Sequence, residues 1–426
     1  MQLLRHYDRR LTPQPTRVVI RPFHVAMEPR DLQPRQTGRM RRIVNAVLAL
    51  NEAECELELA AVNSDFGVRH WRTAKVHGDR FDQIAADIGL AELLSEPRRQ
   101  LIGAYFCHEY SYAAAAVTNP SIVAHVDQSG LAQGDQRFIL SVRSVGEGHI
   151  SSISFREGVI TASGDLTLES QPDVTFAAAG DPEISPDGAV TARRPSPIDI
   201  SGTVIFPFTP AQRNGLEDLR LTRFEDAGEI IYYGTYTAYS GSSVRSELLT
   251  TRNFADFTLT PLIGDAALNK GLALFPRRIG GAYAMIGRQD GENLFFLQSD
   301  TLTDWFGGER IMIPKYPWEL VQIGNCGSPI ELDEGWLLLT HGVGAMRKYS
   351  IGAALLDKKN PRKVLGRLAA PLLSPSHENR EGYVPNVVYT CGALKHGDQL
   401  FLPYGVADSS ISFAMADLKG LLAAMG

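Results

Sequence analysis

The chain is 426 residues long, 44% hydrophobic and 21% charged, and its 48 acidic against 42 basic residues give a formal charge of −6. That length exceeds one ordinary compact core and predicts a large domain with an appendage. The mild acidity gives no general attraction for nucleic acid or an anionic membrane surface. No run approaches the roughly 20 apolar residues of a membrane span. The opening stretch, Met1 to Arg10, lacks the apolar core of a secretory signal, so a cytoplasmic location is expected. The four cysteines, Cys55, Cys107, Cys326 and Cys391, are far apart and form no C-x-x-C pair. They read as reduced thiols, and no metal or organic cofactor is expected.

Residues 1–116 are expected to form a mostly helical extension. Arg17 to Phe23 opens it with a short β-like run closed by proline. Ile43, Val44, Val47, Leu48 and Leu50 recur at helical spacing and predict a helix over 39–60. Segments 79–96 and 98–117 also read as helix, the second ending in the Ala113–Ala116 run. Asn119-Pro120 closes this part, because proline biases its neighbour away from helix.

Residues 117–426 change character. Short apolar or aromatic strands, reached from Gly or Asp turns, recur at Phe138–Arg143, Glu229–Tyr236, Gly281–Gly287, Gly335–Gly342 and Gln399–Gly405. Second strands follow several of them, as at Glu292–Gln298 and Tyr349–Leu356. From Tyr232 to Tyr283 is 51 positions, then 53 to Trp336 and 64 to Leu400. A period of this size in an all-β region predicts propeller blades, and five fit the length. A β-sandwich would need fewer strands. The stretch 161–203, rich in Pro, Asp, Ser and Gly, is expected to be an insertion.

The densest polar cluster runs from Arg213 to Arg220, with Glu217 and Asp218 side by side. Neighbouring strand residues face opposite ways, so only one of the two is expected in a site. A carboxylic acid near arginines suits protonation of a glycosidic oxygen. Elsewhere, His341 ends an apolar strand before Gly342, with Arg347, Lys348 and Tyr349 behind it. Arg288 and Asp408 stand at the corresponding ends of two other blade strands. Such recurrence converges on a propeller axis. Lys270, Asn119 and Arg143 each read alone as a surface charge, a turn residue and a strand-end charge. No P-loop, nucleophile elbow, HExxH or Rossmann pattern stands in a fitting context.

The order of these motifs resembles glycoside hydrolase family 130. The runs are NGLEDLR ending at Arg220, NKGLALFP ending at Pro276, IGNCGSPI ending at Ile330, GWLLLTHG ending at Gly342, and YGVAD ending at Asp408. The resemblance covers about residues 119–426 and implies a five-bladed propeller acting on β-mannosides. It implies Asp218 as general acid, passing its proton through a mannose hydroxyl. It implies Arg288, His341, Tyr349 and Arg347 as phosphate contacts, and Asn119, Arg143, Lys270, Asp408 and Arg220 as sugar contacts. Two departures stand out. Leu219 occupies the proline of the family's Glu-Asp-Pro-Arg, and Gln322 stands where many phosphorylases carry lysine.

An inverting hydrolase needs a second carboxylate to activate water, whereas a phosphorylase needs only the acid and cations to hold phosphate. The expected reaction is phosphorolysis of β-mannosides, of β-1,2 linkage by family default, to α-mannose 1-phosphate. The partners would be a manno-oligosaccharide and inorganic phosphate. Gln322 keeps a β-mannosidase reading open, and Leu219 a non-catalytic sugar-binding one. The extension offers apolar surface to its own propeller or to a second copy in a homo-oligomer.

Overall fold

The computed structural model describes residues 3–26, 38–91, 93–180, 184–195, 198–377 and 380–426. These fall into two compact units. The larger takes the described residues up to 15, residues 112–171 and those from 178 onward; the smaller takes 16–111 and 172–177. The division departs from the 116/117 boundary expected from composition. The N-terminal strand belongs to the larger unit, and residues 172–177 return to the smaller one.

The smaller unit holds helices Arg39–Leu48, Glu52–Phe66, Thr73–Ile88 and Glu96–Tyr105, beside an antiparallel ribbon of Val18–Pro22 with Cys107–Ser111. The single helix expected over 39–60 is two. Asn51 starts the second with a capping box: its side chain accepts from the Glu54 N–H, and Glu54 accepts from the Asn51 N–H. The helix expected over 79–96 runs instead from Thr73 to Ile88 and ends at Gly89, in the left-handed region at φ 64°. The helix expected over 98–117 stops at Tyr105, and the chain enters the Cys107–Ser111 strand. Pairing with Val18–Pro22 holds this segment extended, and the Ala113–Ala116 run beyond it ends in the strand that begins at Ala116, paired with Val145. Val44, Val47, Phe81, Ile84, Leu101, Ile102 and Phe106 form this unit's core. Among the described residues, no helix is long and apolar enough to cross a membrane.

The larger unit is mainly β, and strands are present at every recurring position noted above. Its described strands follow one another as antiparallel groups. The first is Ala116–Ala124, Gln136–Val145, Ser151–Ile160 and Leu166–Leu168. The second is Gly215–Asp226, Glu229–Tyr239, Val244–Thr251 and Asp256–Pro261. A parallel pairing of Ser151 with Gly215 joins these two groups. The third is Ala273–Leu274, Tyr283–Gly287, Leu294–Ser299 and Glu309–Met312. The fourth centres on Trp336–Val343 and Tyr349–Leu356, flanked by Gln322–Asn325 and Val364–Arg367. The fifth joins Val388–Tyr389, Gln399–Val406 and Ser410–Asp417, and its outer strand is Leu4–Leu11 from the other end of the chain. The 161–203 stretch is not purely an insertion, since Val190–Arg193 extends the second group by pairing with Asp256–Pro261.

Residue choice explains these strands. Trp336–Val343 is buried on both faces and reads as a nearly continuous apolar run. Asp226-Ala227-Gly228-Glu229 is a two-residue hairpin with φ 51° at Ala227 and 82° at Gly228, the primed turn that matches strand twist. Leu4 is buried among Leu400, Leu402, Ala414 and Ala416, which fixes the N-terminal strand against the fifth group. Leu4→Ala is therefore expected to cost about 2–4 kcal/mol in urea unfolding. A loss below about 0.5 kcal/mol, the level of an ordinary surface change, would mean that this strand is not docked.

Candidate active site

Two backbone irregularities build the site. The pairing of the first two strands shifts register between Thr118 and Ser121, leaving Asn119-Pro120 as a bulge with Asn119 at φ 47°. The strand Gly215–Asp226 shifts likewise between Glu217 and Arg220, with Asp218 at φ 55°. A bulge adds a residue and re-aims the side chains beside it. The strand-alternation argument that separated Glu217 from Asp218 fails for this reason. Both carboxylates meet one guanidinium: Arg143 Nη2 donates to Glu217 Oε1 at 2.6 Å, and Nη1 to Asp218 Oδ1 at 3.3 Å. Asn119 Nδ2 donates to the same Asp218 oxygen at 2.6 Å. Arg143 is itself oriented by Ser151, whose Oγ accepts from Nε at 2.9 Å.

Leu219, in the place of the family's proline, is accommodated. It is buried, and its partner strand carries Gly234, where a Cβ would lie 2.5 Å from Leu219 Cδ1. The bulge, and with it the aim of Asp218, coexists with leucine.

A third carboxylate joins from the fifth group. Asp408 sits in a turn with Ala407, both left-handed (φ 48° and 49°). Thr118 Oγ1 lies 3.2 Å from Asp408 Oδ1 and 2.9 Å from Asn119 Oδ1, linking the two. The three carboxyls behave differently. Burial pushes Glu217 up, against Arg143, which pulls it down. Burial likewise pushes Asp408 up. Burial alone would raise Asp218 as well, but Arg143, Lys270 and the Asn119 hydrogen bond outweigh it and hold it below the usual range.

The cationic side lies across from these acids. Arg220 is buried, donates to Tyr389 Oη at 2.7 Å and to the Leu272 carbonyl at 3.3 Å. Arg288 donates through Nη1 to His341 Nε2 at 3.3 Å and through Nε to the Lys270 carbonyl at 3.3 Å. Arginine can only donate, so Nε2 is the accepting nitrogen and the ring proton resides on Nδ1. His341 is fully buried, stacked on Tyr349 at 5.9 Å and edge-on to Tyr389 at 4.9 Å. Burial, then Arg288 and Arg220, push its imidazole well below the ordinary value, so it is neutral. Two glycines give these groups room. A Cβ at Gly324 would lie 2.2 Å from the His341 ring, and one at Gly271, at φ 105°, 2.7 Å from Arg288 Nε. Cys326 stands nearby as a thiol, pushed by burial up to about 12.

All ten residues singled out from the sequence thus connect. Asn119, Arg143, Asp218 and Asp408 form one cluster, with the Lys270 charge acting on Asp218. Arg220, Arg288, His341 and Tyr349 form the second. Arg347 is exposed in its turn, 6.0 Å over the Tyr349 ring, and its charge acts on Asp408. Gln322 begins its strand opposite Val343 and is half-buried. Sequence reasoning missed Thr118, Ser151 and Tyr389, which only the fold brings to the site, and it set Glu217 aside.

Five sheet groups therefore supply one cluster of three acids faced by arginines, a lysine and a neutral histidine. A family model described as beta-1,4-mannooligosaccharide phosphorylase, that of glycoside hydrolase family 130, matches residues 199–426, more than half of the chain. The chain belongs to glycoside hydrolase family 130. It is an enzyme of that family, similar to a 1,2-beta-oligomannan phosphorylase from a Thermoanaerobacter species, with 34% identity over 218 residues, 50% of this chain and 72% of that one. It is also similar to a beta-1,2-mannobiose phosphorylase from Listeria innocua, 34% identical over 222 residues, 50% of this chain and 61% of the relative. The solved structure of a Listeria innocua beta-1,2-mannobiose phosphorylase shares the fold at a TM-score of 0.52 and 21% identity, covering 73% of this chain and 92% of that one. A structure from work on family 130 hydrolases that target β-1,2 mannosidic linkages in Candida mannan shares it at 0.54 and 20%, covering 73% and 87%.

The neutral state of His341 has a measurable consequence. Its unfolded imidazole binds a proton below about pH 6.5, while the folded one stays neutral further down. The unfolded state then binds more protons, so stability is present above about pH 6.5 and falls below it, by about 1.4 kcal/mol per pH unit. His341→Gln should flatten the fall between pH 6.5 and 5.5 in urea unfolding. Equal slopes in the two proteins would show a charged histidine in the fold.

Proposed function

We propose that this chain is an inverting β-mannoside phosphorylase on a five-bladed propeller, with β-1,2-linked manno-oligosaccharides as substrate. The observation that carries the reading is Asp218. It is held in a left-handed bulge by Asn119 and Arg143 and faced by a buried cationic cluster able to hold phosphate. The recurrence of site residues at strand ends and turns of five consecutive antiparallel groups supports the propeller. The phosphorylase relatives and their β-1,2 linkages support reaction and substrate, while the family model's description keeps β-1,4 linkage in view.

In this reading Asn119, Arg143, Asp408, Lys270 and Arg220 hold the terminal mannose. Arg288, with His341 and Tyr349 and with Arg347 at the rim, holds phosphate. Phosphate already carries negative charge and needs no base, only donors. Asp218 gives its proton, through a mannose hydroxyl, to the glycosidic oxygen. The C1–O bond breaks as a phosphate oxygen bonds C1 from the opposite face. The products are α-mannose 1-phosphate and the shortened saccharide. Asp218 must be protonated at that moment. Bringing a phosphate dianion into the buried site raises its affinity for a proton, because like charge disfavours the carboxylate. No metal or organic cofactor takes part.

One observation favours a second reading, a β-mannosidase. Asp408 and Glu217 stand close enough to the Asp218 network to be considered as a water-activating base. Burial pushes both towards the protonated form, so a smaller share of each stands as the carboxylate that would take a proton from water. Products from β-1,2-mannobiose with and without inorganic phosphate separate the two. Mannose 1-phosphate formed only with phosphate is expected; free mannose at equal rates in both would replace the phosphorylase by the hydrolase.

Two variants probe the parts. Asp218→Asn should lower kcat by about a thousandfold, in the range of lost general acids; full activity would remove Asp218 from its role. Gly324→Ala forces the His341 ring to shift, so KM for phosphate should rise about tenfold, the size of one lost hydrogen bond of about 1.4 kcal/mol. KM for mannobiose should hold. An unchanged phosphate KM would take His341 out of the phosphate site.

A further inference from the structure

The reaction requires the proton of Asp218, yet the residues around Asp218 favour its carboxylate. Arg143, Lys270 and Arg220 all act on it as cations, and Asn119 donates to the same oxygen that Arg143 reaches. Left alone with Arg143, an acid so placed would be a strong one and would rarely carry a proton at neutral pH.

Arg143 is not left alone with it. Its shorter contact, 2.6 Å, is to Glu217, and its contact to Asp218 is the longer, 3.3 Å. The bulge is what lets two consecutive residues reach one guanidinium. Nε is fixed by Ser151, so the plane of the guanidinium is set and its two outer nitrogens are divided between the two acids.

We infer that Glu217 is a positioning residue for the acid: by taking half of Arg143 and setting a second carboxyl beside Asp218, it keeps Asp218 able to hold the proton that the reaction draws on. This rests on the reading of Asp218 as the acid. The charged and titratable groups that face the pair are Arg143, Lys270 and Asp408 around Glu217, and Arg143, Lys270, Arg220, Tyr389, Cys391 and Asp408 around Asp218. Of the two carboxyls near Asp218, Glu217 shares the Arg143 guanidinium with it and sits next to it in the chain, whereas the hydrogen bond of Asp408 is to Thr118.

The test is the pH dependence of kcat for phosphorolysis of β-1,2-mannobiose. Glu217→Gln keeps an acceptor for Arg143 Nη2 but removes the competing charge. Arg143 and Lys270 then act on Asp218 unopposed, and its acid form becomes scarcer. The alkaline limb of kcat should move to lower pH by about one unit, a tenfold loss on that limb that shrinks towards acid pH. Glu217→Asp keeps the charge with a shorter reach and should move the limb the same way by less. It carries the test if the glutamine variant does not fold. A uniform loss without a shift of the limb, or a profile that superimposes on the wild type, would overturn the inference. Asp218→Asn run alongside separates the two levels. If it is active, the reading of the site falls. If it is inactive and the limb stays put in both Glu217 variants, only the role of Glu217 falls.

Discussion

The site depends on one guanidinium, that of Arg143, set between acids that the backbone has bent to meet it. A buried carboxylate is costly without a partner, and a buried arginine equally so. Here each solves the other's problem, and the geometry is fixed from behind by Ser151 and from the side by Asn119. The strands on either side, Ala116–Ala124 and Gly215–Asp226, are both bulged at the residues that make these contacts.

Left-handed backbone outside glycine is uncommon and costs about 1–3 kcal/mol per residue where it is strained. Asn119, Asp218 and Asp408 all adopt it. Asn and Asp are the non-glycine types that tolerate it best. The choice of residue therefore serves backbone and chemistry together. The rest of the fold supports these three positions with well-buried strands, such as Trp336–Val343, whose residues have no role in the site beyond His341.

Much of this was legible in the sequence because strands announce themselves through apolar runs between turn residues. The second and fourth groups, with their long central strands, were read correctly from Glu229–Tyr236 and Gly335–Gly342. The residues of the cationic side were legible through motif order. What stayed hidden was whatever the local pattern does not encode. A bulge breaks the period of two on which face assignment rests, so the expectation that only one of Glu217 and Asp218 reaches the site fails. Tyr389 lies on a strand of two residues and reaches Arg220 from 169 positions away. The helix expected over 98–117 ends at Tyr105 because residues 107–111 pair with Val18–Pro22 and Ala116 enters a strand paired with Val145.

The strand Leu4–Leu11 pairs with Ser410–Asp417, so the fifth group is finished only when the two ends of the described chain meet. During synthesis this strand emerges some four hundred residues before its partner. It must wait, unpaired, for some four hundred residues to be added, and the entropy of closing so long a loop falls on a single late event. Sheets closed by distant segments form slowly compared with hairpins. Until then Ser410–Asp417 presents a free edge of the kind that recruits strands from other molecules. The same closure that secures the finished protein thus makes its last moment of folding the one most exposed to aggregation.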